Sequence, residues 1–134
     1  EGSKEPATVK FVADYEKRYN KLPSIYGFSH FSGAMWVAEA IKSIGGKVED
    51  RDALLKAVLA TELKDSPLGK TVKLDSYGNP IYDAYIRKVE RRADGKLWNV
   101  PTETYTQVSQ FWKYDPETYL KQPPYSRTFQ GVKS

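Results

Sequence analysis

Residues 26–46 read YGFSHFSGAMWVAEAIKSIGG, and residues 69–89 read GKTVKLDSYGNPIYDAYIRKV. The first stretch has the rhythm of a helix and the second that of strands, so the passage from one to the other sets the fold class as α/β. Within the first, Phe28, Phe31, Met35, Ala38 and Ile41 recur at helical intervals, while Gly27, Ser32, Gly33 and Ala34 keep the opposite side narrow. Small residues admit a close neighbour, so the helix from Tyr26 to Ile44 is expected to be buried on more than one side. Gly45 and Gly46 supply the positive-φ stop.

Working outward, Asp50 is placed to cap a second helix whose Leu54, Leu55, Val58 and Leu59 form one apolar stripe. In the second stretch Val72 and Leu74 alternate with Thr71, Lys73 and Asp75. After a turn at Asp75–Asn79, Ile81, Asp83, Tyr85, Arg87 and Val89 alternate with Tyr82, Ala84 and Ile86. Period two on both sides of a glycine-containing loop predicts a hairpin. A further turn at Asp94-Gly95 leads into a short third strand ending at Pro101. Upstream, Val9, Val12, Tyr15 and Tyr19, with Phe11 beside them, define a helix face over residues 6–20. Glu16, Lys17 and Arg18 are left to solvent, and the approach to Pro23 ends the helix. The aromatic-rich C-terminus has little periodicity and is expected to be irregular, packing on something outside itself.

A chain of 134 residues with 40% apolar side chains has the size and composition of a folded domain. It has no cysteine, which excludes disulfides, thiolate metal sites and a cysteine nucleophile. No apolar run is long enough to span a bilayer, and no secretory segment opens the numbering. The net charge of +4 is dispersed, with basic pairs only at Arg87-Lys88 and Arg91-Arg92. Glu90 and Asp94 interrupt them, so they read first as a solvated strand end. An interaction module using this strand end on nucleic acid or an acidic partner is the alternative.

Catalytic constellations are hard to assemble from these residues. His30 is the single histidine, and neighbouring helical positions such as Ser29 and His30 point apart. Gly69-Lys70-Thr71 fails as a phosphate loop, because Lys64 stands where the first glycine belongs and the triplet leads into a strand. Asp50 with Asp52, and Asp75 with Asp83, have plainer duties as helix-cap and turn residues. The chain is therefore read as no enzyme, with no cofactor or metal. Its ten tyrosines suit recognition of small amphipathic ligands as well as ordinary packing.

The order of elements resembles the last part of a type I periplasmic solute-binding protein, the bilobed receptor of an ABC transporter. Carrying the resemblance are the long helix opened by an aromatic residue, the Asp50-capped helix, and Gly69-x-x-Val72-x-Leu74-Asp75-x-x-Gly78, with Leu74 where the family usually has phenylalanine. The branched-chain amino acid receptor group is the nearest pattern. The tail from Val108 to Glu117 and from Gln122 to Arg127 is similar to an aromatic-acid subgroup. The resemblance implies a C-terminal fragment with incomplete domains, residues 1–84 belonging to the first lobe and 85–134 to the second, with the crossing near Tyr82–Ile86. It further implies a small organic ligand, either an aromatic carboxylate or a branched-chain amino acid. Also implied are permease subunits as partners, no nucleic acid, a periplasmic location with the signal peptide upstream of this numbering, and self-association of the fragment. By position Tyr26 is the ligand-binding candidate, with Phe28 and His30 near the same mouth and Phe31 where the family commonly has tyrosine.

Overall fold

The computed structural model describes residues 1–128. Helices α1 (Pro6–Tyr19), α2 (Ile25–Ser43) and α3 (Arg51–Ala60) lead into strands β1 (Leu63–Ser66), β2 (Gly69–Leu74), β3 (Pro80–Arg91) and β4 (Leu97–Val108), followed by the short helix α4 (Pro116–Leu120). The strands form one four-stranded sheet in the order β1-β2-β3-β4, each neighbouring pair antiparallel.

Pro6 opens α1, where its missing N–H costs nothing, and Asn20 closes it in the left-handed region, donating its N–H to Glu16 O at 2.8 Å. The buried face carries Thr8, Phe11 and Val12, whereas Val9 and Tyr19 of the expected face are exposed. Helix α2 buries Phe28, Ser32, Trp36 and Ala40, one residue per turn. Burial on more than one side is not what the described residues show, since Phe31 and Val37 lie at the surface. The reason is that α1 and α3 meet α2 along the single Phe28–Ser32–Trp36–Ala40 stripe, through Phe11 and Val58, and Phe31 and Val37 fall off that stripe. Trp36 donates its indole N–H to Val58 O of α3 at 2.9 Å. Asp50 caps α3 as anticipated, accepting the Ala53 N–H at 3.0 Å. Its stripe is split, with Leu54 and Val58 half-buried but Leu55 and Leu59 exposed.

Two apolar clusters make the core: Phe11, Val12 and Phe28, and separately Trp36, Leu63 and Val72. Leu68, on the turn between β1 and β2, packs against both. That turn is fixed by Ser66 Oγ, which accepts the Leu68 N–H at 3.2 Å, and by Thr8 Oγ1, which donates to Pro67 O at 3.2 Å. In the β2–β3 turn Asp75 Oδ1 accepts the N–H groups of Tyr77 and Asn79, each at 2.9 Å. Gly78 there has φ 79°, a conformation that a β-carbon disfavours.

Two corrections concern β4 and the tail. The third strand does not stop at Pro101 but runs to Val108. Register shifts between Ile86 and Arg87 leave Thr102 as an extra residue beside Pro101, so the proline sits at a bulge where no ladder N–H is required. The tail is not irregular throughout, since Pro116–Leu120 is a helix capped by Asp115. It packs on its own chain. Phe111 is buried, with ring centroids 5.3 Å from Tyr77 and 5.8 Å from Tyr119. Strand β3 runs unbroken through the boundary anticipated between residues 84 and 85. Of the segment 85–134, residues 129–134 lie outside the described residues.

Candidate functional site

The first turns of α2 hold the three residues singled out by sequence. Tyr26 is 72% exposed, its ring standing on solvent. One turn on, His30 Nδ1 lies 2.7 Å from Tyr26 O. A carbonyl oxygen only accepts, so in the neutral imidazole Nδ1 carries the proton and Nε2 is left as an acceptor. Ser29 Oγ donates to the same carbonyl at 3.1 Å, which keeps serine and histidine on a shared backbone acceptor instead of on each other. Phe28 points the other way, buried against Phe11 at 4.8 Å between centroids. Tyr26 and His30 thus share one helix face and Phe28 does not, as positions four and two apart require.

Phe28 meets a groove from below. A cavity of about 100 Å³ is lined by Ile25 and Phe28 of α2, Pro67 and Leu68 of the β1–β2 turn, and Tyr82, Asp83, Tyr85 and Arg87 of β3, among others. Through Ser3, Asp83, Tyr85 and Pro101 it adjoins a second cavity of about 430 Å³ that reaches Glu5, Lys70 and Thr104. Asp83, Tyr85 and Arg87 alternate along one strand face, which is why they converge here. Burial raises the Tyr85 phenol above its ordinary range, and the carboxylates of Asp83 and Glu5 raise it further, so it remains a protonated donor. Asp83 Oδ1 is engaged by the Gln107 N–H at 3.0 Å, where β4 bulges and Gln107 has φ 51°. Lys70 faces Glu5 at 3.5 Å. The Arg87 side chain, unlike its backbone in the β3–β4 ladder, has no hydrogen-bond or ion-pair partner among the described residues, and its guanidinium is available for an anion.

On the other side of α1 a larger groove of about 490 Å³ is walled by Phe11, Tyr15, Tyr19, Phe31 and Met35, with Lys10, Asp14 and Arg18 at its rim. Sequence periodicity had already grouped Tyr85 and Arg87 on one strand face. It could not place that face against the mouth of α2. The signal for Arg87 was its basic run, read as a solvated end. Among the described residues no group of three histidine or acidic side chains is arranged to hold a metal, and no helix is long and apolar enough to cross a membrane. What the groove offers is recognition by aromatic faces, a phenol donor and one unpaired guanidinium.

A family model described as periplasmic binding protein matches residues 2–96. Among solved structures, the fold resembles an ABC transporter substrate-binding protein from Sphaerobacter thermophilus, with a TM-score of 0.72 and 25% identity, covering 78% of this chain and 28% of that one. It also resembles a solute binding protein of an ABC transporter from R. palustris, solved in complex with benzoate, with a TM-score of 0.61 and 24% identity over 73% of this chain and 26% of that one. The chain therefore spans 28% and 26% of the lengths of the two proteins it resembles. No curated protein matches it.

Proposed function

The chain belongs to the periplasmic binding protein family, and from that premise we propose that it is the C-terminal portion of a bilobed extracytoplasmic receptor that delivers a small organic ligand to an ABC importer. The observation that carries this reading is the TM-score of 0.72 to an ABC transporter substrate-binding protein over 78% of the chain. Residues 1–84 are assigned to one lobe and 85–134 to the other, with the crossing in β3. The receptor works in the periplasm with membrane permease subunits as partners. Ligand binding shifts an open and closed equilibrium through contacts made better in the closed form, without a covalent step. The chain by itself, lacking the rest of both lobes, is proposed to self-associate.

Aromatic carboxylates are the first ligand class and branched-chain amino acids the second. Support for the first comes from the exposed Tyr26 ring at the mouth of α2, an aromatic face, and from the Arg87 guanidinium in the groove beside Ile25 and Phe28, a partner for a carboxylate. The R. palustris fold relative in complex with benzoate points the same way. Tyr26 is assigned the ring contact and His30 a hydrogen bond through Nε2, while Phe28, buried on the other face of α2, is assigned to the apolar wall of the groove that holds Arg87. Calorimetry on the intact receptor with benzoate and related acids, then leucine, isoleucine and valine, tests the ligand class. Binding of neither class overturns it. Tyr26→Ala is expected to weaken binding by about 1–3 kcal/mol, the value of one buried aromatic contact. Unchanged affinity removes Tyr26 from the site.

A further inference from the structure

The turn between β3 and β4 reaches back to α1 through a polar cluster that the ligand groove does not use. Arg92 donates from Nη1 to Glu16 Oε2 at 2.7 Å and from Nη2 to Asp94 Oδ2 at 2.7 Å, and Lys96 Nζ donates to Glu16 Oε1 at 3.2 Å. Both carboxylate oxygens of Glu16 are therefore held by cations that lie 76 and 80 residues further along the chain. The Arg92 guanidinium also stands 5.3 Å from the centre of the Trp98 ring. The side chains of Glu16 and Arg92 are only 19% and 21% exposed, unlike the other ion pairs of the described residues. A second attachment joins the same ribbon to the segment before α1. There Gly2 donates its N–H to Asn99 O at 2.7 Å, and the Asn99 backbone and side-chain N–H groups donate to Glu1 Oε2 at 3.0 Å.

These polar contacts matter because they fasten the far end of the ribbon, whose near end is held by the half-buried Tyr85 beside Phe28 and by Gln107 Nε2, which donates to Thr71 O at 3.0 Å. Neither apolar cluster includes a residue of β3 or β4. The ladder between β2 and β3 is confined to Lys73–Ile81 and Leu74–Pro80. A two-stranded ribbon tethered at its near end and fastened at its far end by ion pairs gains freedom to swing when those pairs part, the Glu1 and Gly2 contacts to Asn99 then being its remaining far attachment, since hinge motions need little more than a few residues that absorb the change.

We propose that Glu16, Arg92, Lys96 and Trp98 form a clasp that fastens the β3–β4 ribbon across α1, and that in the receptor it acts as an interlobe latch favouring the closed form. The latch role rests on the assignment of α1 and the ribbon to different lobes made above. Glu16 and Arg92 are positioning residues in this scheme, touching no ligand and acting through the closure equilibrium.

The absence of cysteine allows selective spin labelling at Lys17→Cys on α1 and Ala93→Cys on the turn, both exposed positions. Pulsed electron resonance on the doubly labelled 134-residue chain, diluted into an excess of unlabelled chain so that distances between copies do not contribute, is expected to give one narrow distance, which broadens toward longer values in Glu16→Ala and Arg92→Ala. The charge exchange Glu16→Arg with Arg92→Glu is expected to restore it in part. An unchanged distribution in both single variants overturns the clasp. In the intact receptor, Glu16→Ala is expected to weaken ligand binding on the order of five- to tenfold, the size of an ordinary coupling between a conformational element and a site. Release of the ribbon with unaltered affinity overturns the latch. Absence of any ligand for the unmodified receptor is instead a failure of the receptor reading, and it leaves the distance measurement of the clasp intact.

Discussion

Ser32 stands in the buried stripe of α2 between Phe28 and Trp36, and its Oγ has no hydrogen-bond partner among the described residues. An unsatisfied buried hydroxyl is unfavourable, and serine is also a weaker helix former than alanine. Ser32→Ala is therefore expected to stabilise the fold by about 0.5–2 kcal/mol, seen as a higher midpoint in thermal unfolding. A lower midpoint would mean that the hydroxyl has a partner. Helical period alone made Ser32 a small spacer and could not reveal that it is the polar member of the contact. The same limit applied to Glu16, which reads as one of three charges on a solvent face. Only the return of the chain 76 residues later brings Arg92 onto it.

At the scale of elements, local chemistry was the most legible part. Asp50 precedes an apolar run, and the structure shows its carboxylate on the Ala53 N–H. Asp50→Ala is expected to lower stability by about 1 kcal/mol, measured by urea unfolding. Asp50→Asn, which keeps an acceptor, should restore most of the loss, and a loss of equal size in both would point to charge instead of capping. Strand β1 went unread because its four residues, Leu63 to Ser66, are buried at the ends and exposed between, so no alternation marks them. Its pairing with β2 is what makes it a strand. The end of β4 was missed for a related reason. Pro101 is a stop signal wherever a ladder N–H is needed, and whether one is needed depends on the bulge in the partner's register. Helix α4 carries a legible cap and opening proline, but its five residues are too short for periodicity to show.

For the whole molecule, the ion-pair cluster between α1 and the β3–β4 turn sets an acid response. The Arg92 hydrogen bond, aided by that of Lys96, holds the Glu16 carboxyl below its ordinary range against the opposing effect of burial. A lowered carboxylate contributes stability above its unfolded value, about pH 4.3, and loses it as the pH falls through the folded value. Urea unfolding across this range is expected to show a shallower acid loss for Glu16→Gln than for the unmodified chain, and identical curves would remove the cluster from the acid response. Among the described residues the edge of β3 beyond Ile81 pairs with no strand on the β2 side, and Ile86, Val89 and Leu97 are exposed along the ribbon. Open edges and apolar faces favour association, so light scattering on the isolated 134-residue chain is expected to give a mass above the 15.3 kDa of one copy. A stable monomer would mean that the clasp and turns protect the edge adequately. What the sequence determined by itself was whatever depends on near neighbours: three helices, the Asp50 cap of the third, the glycine stop of the second, the turn at Asp75–Asn79, the alternation of Asp83, Tyr85 and Arg87, and the resemblance that these carry in combination. What only the tertiary structure decided was which faces are covered and which distant groups meet, such as Trp36 with Val58, Phe111 with Tyr77, and Glu16 with Arg92 and Lys96. Periodicity states that a face exists, but contacts between residues far apart in sequence depend on how the elements pack, and no local pattern encodes that.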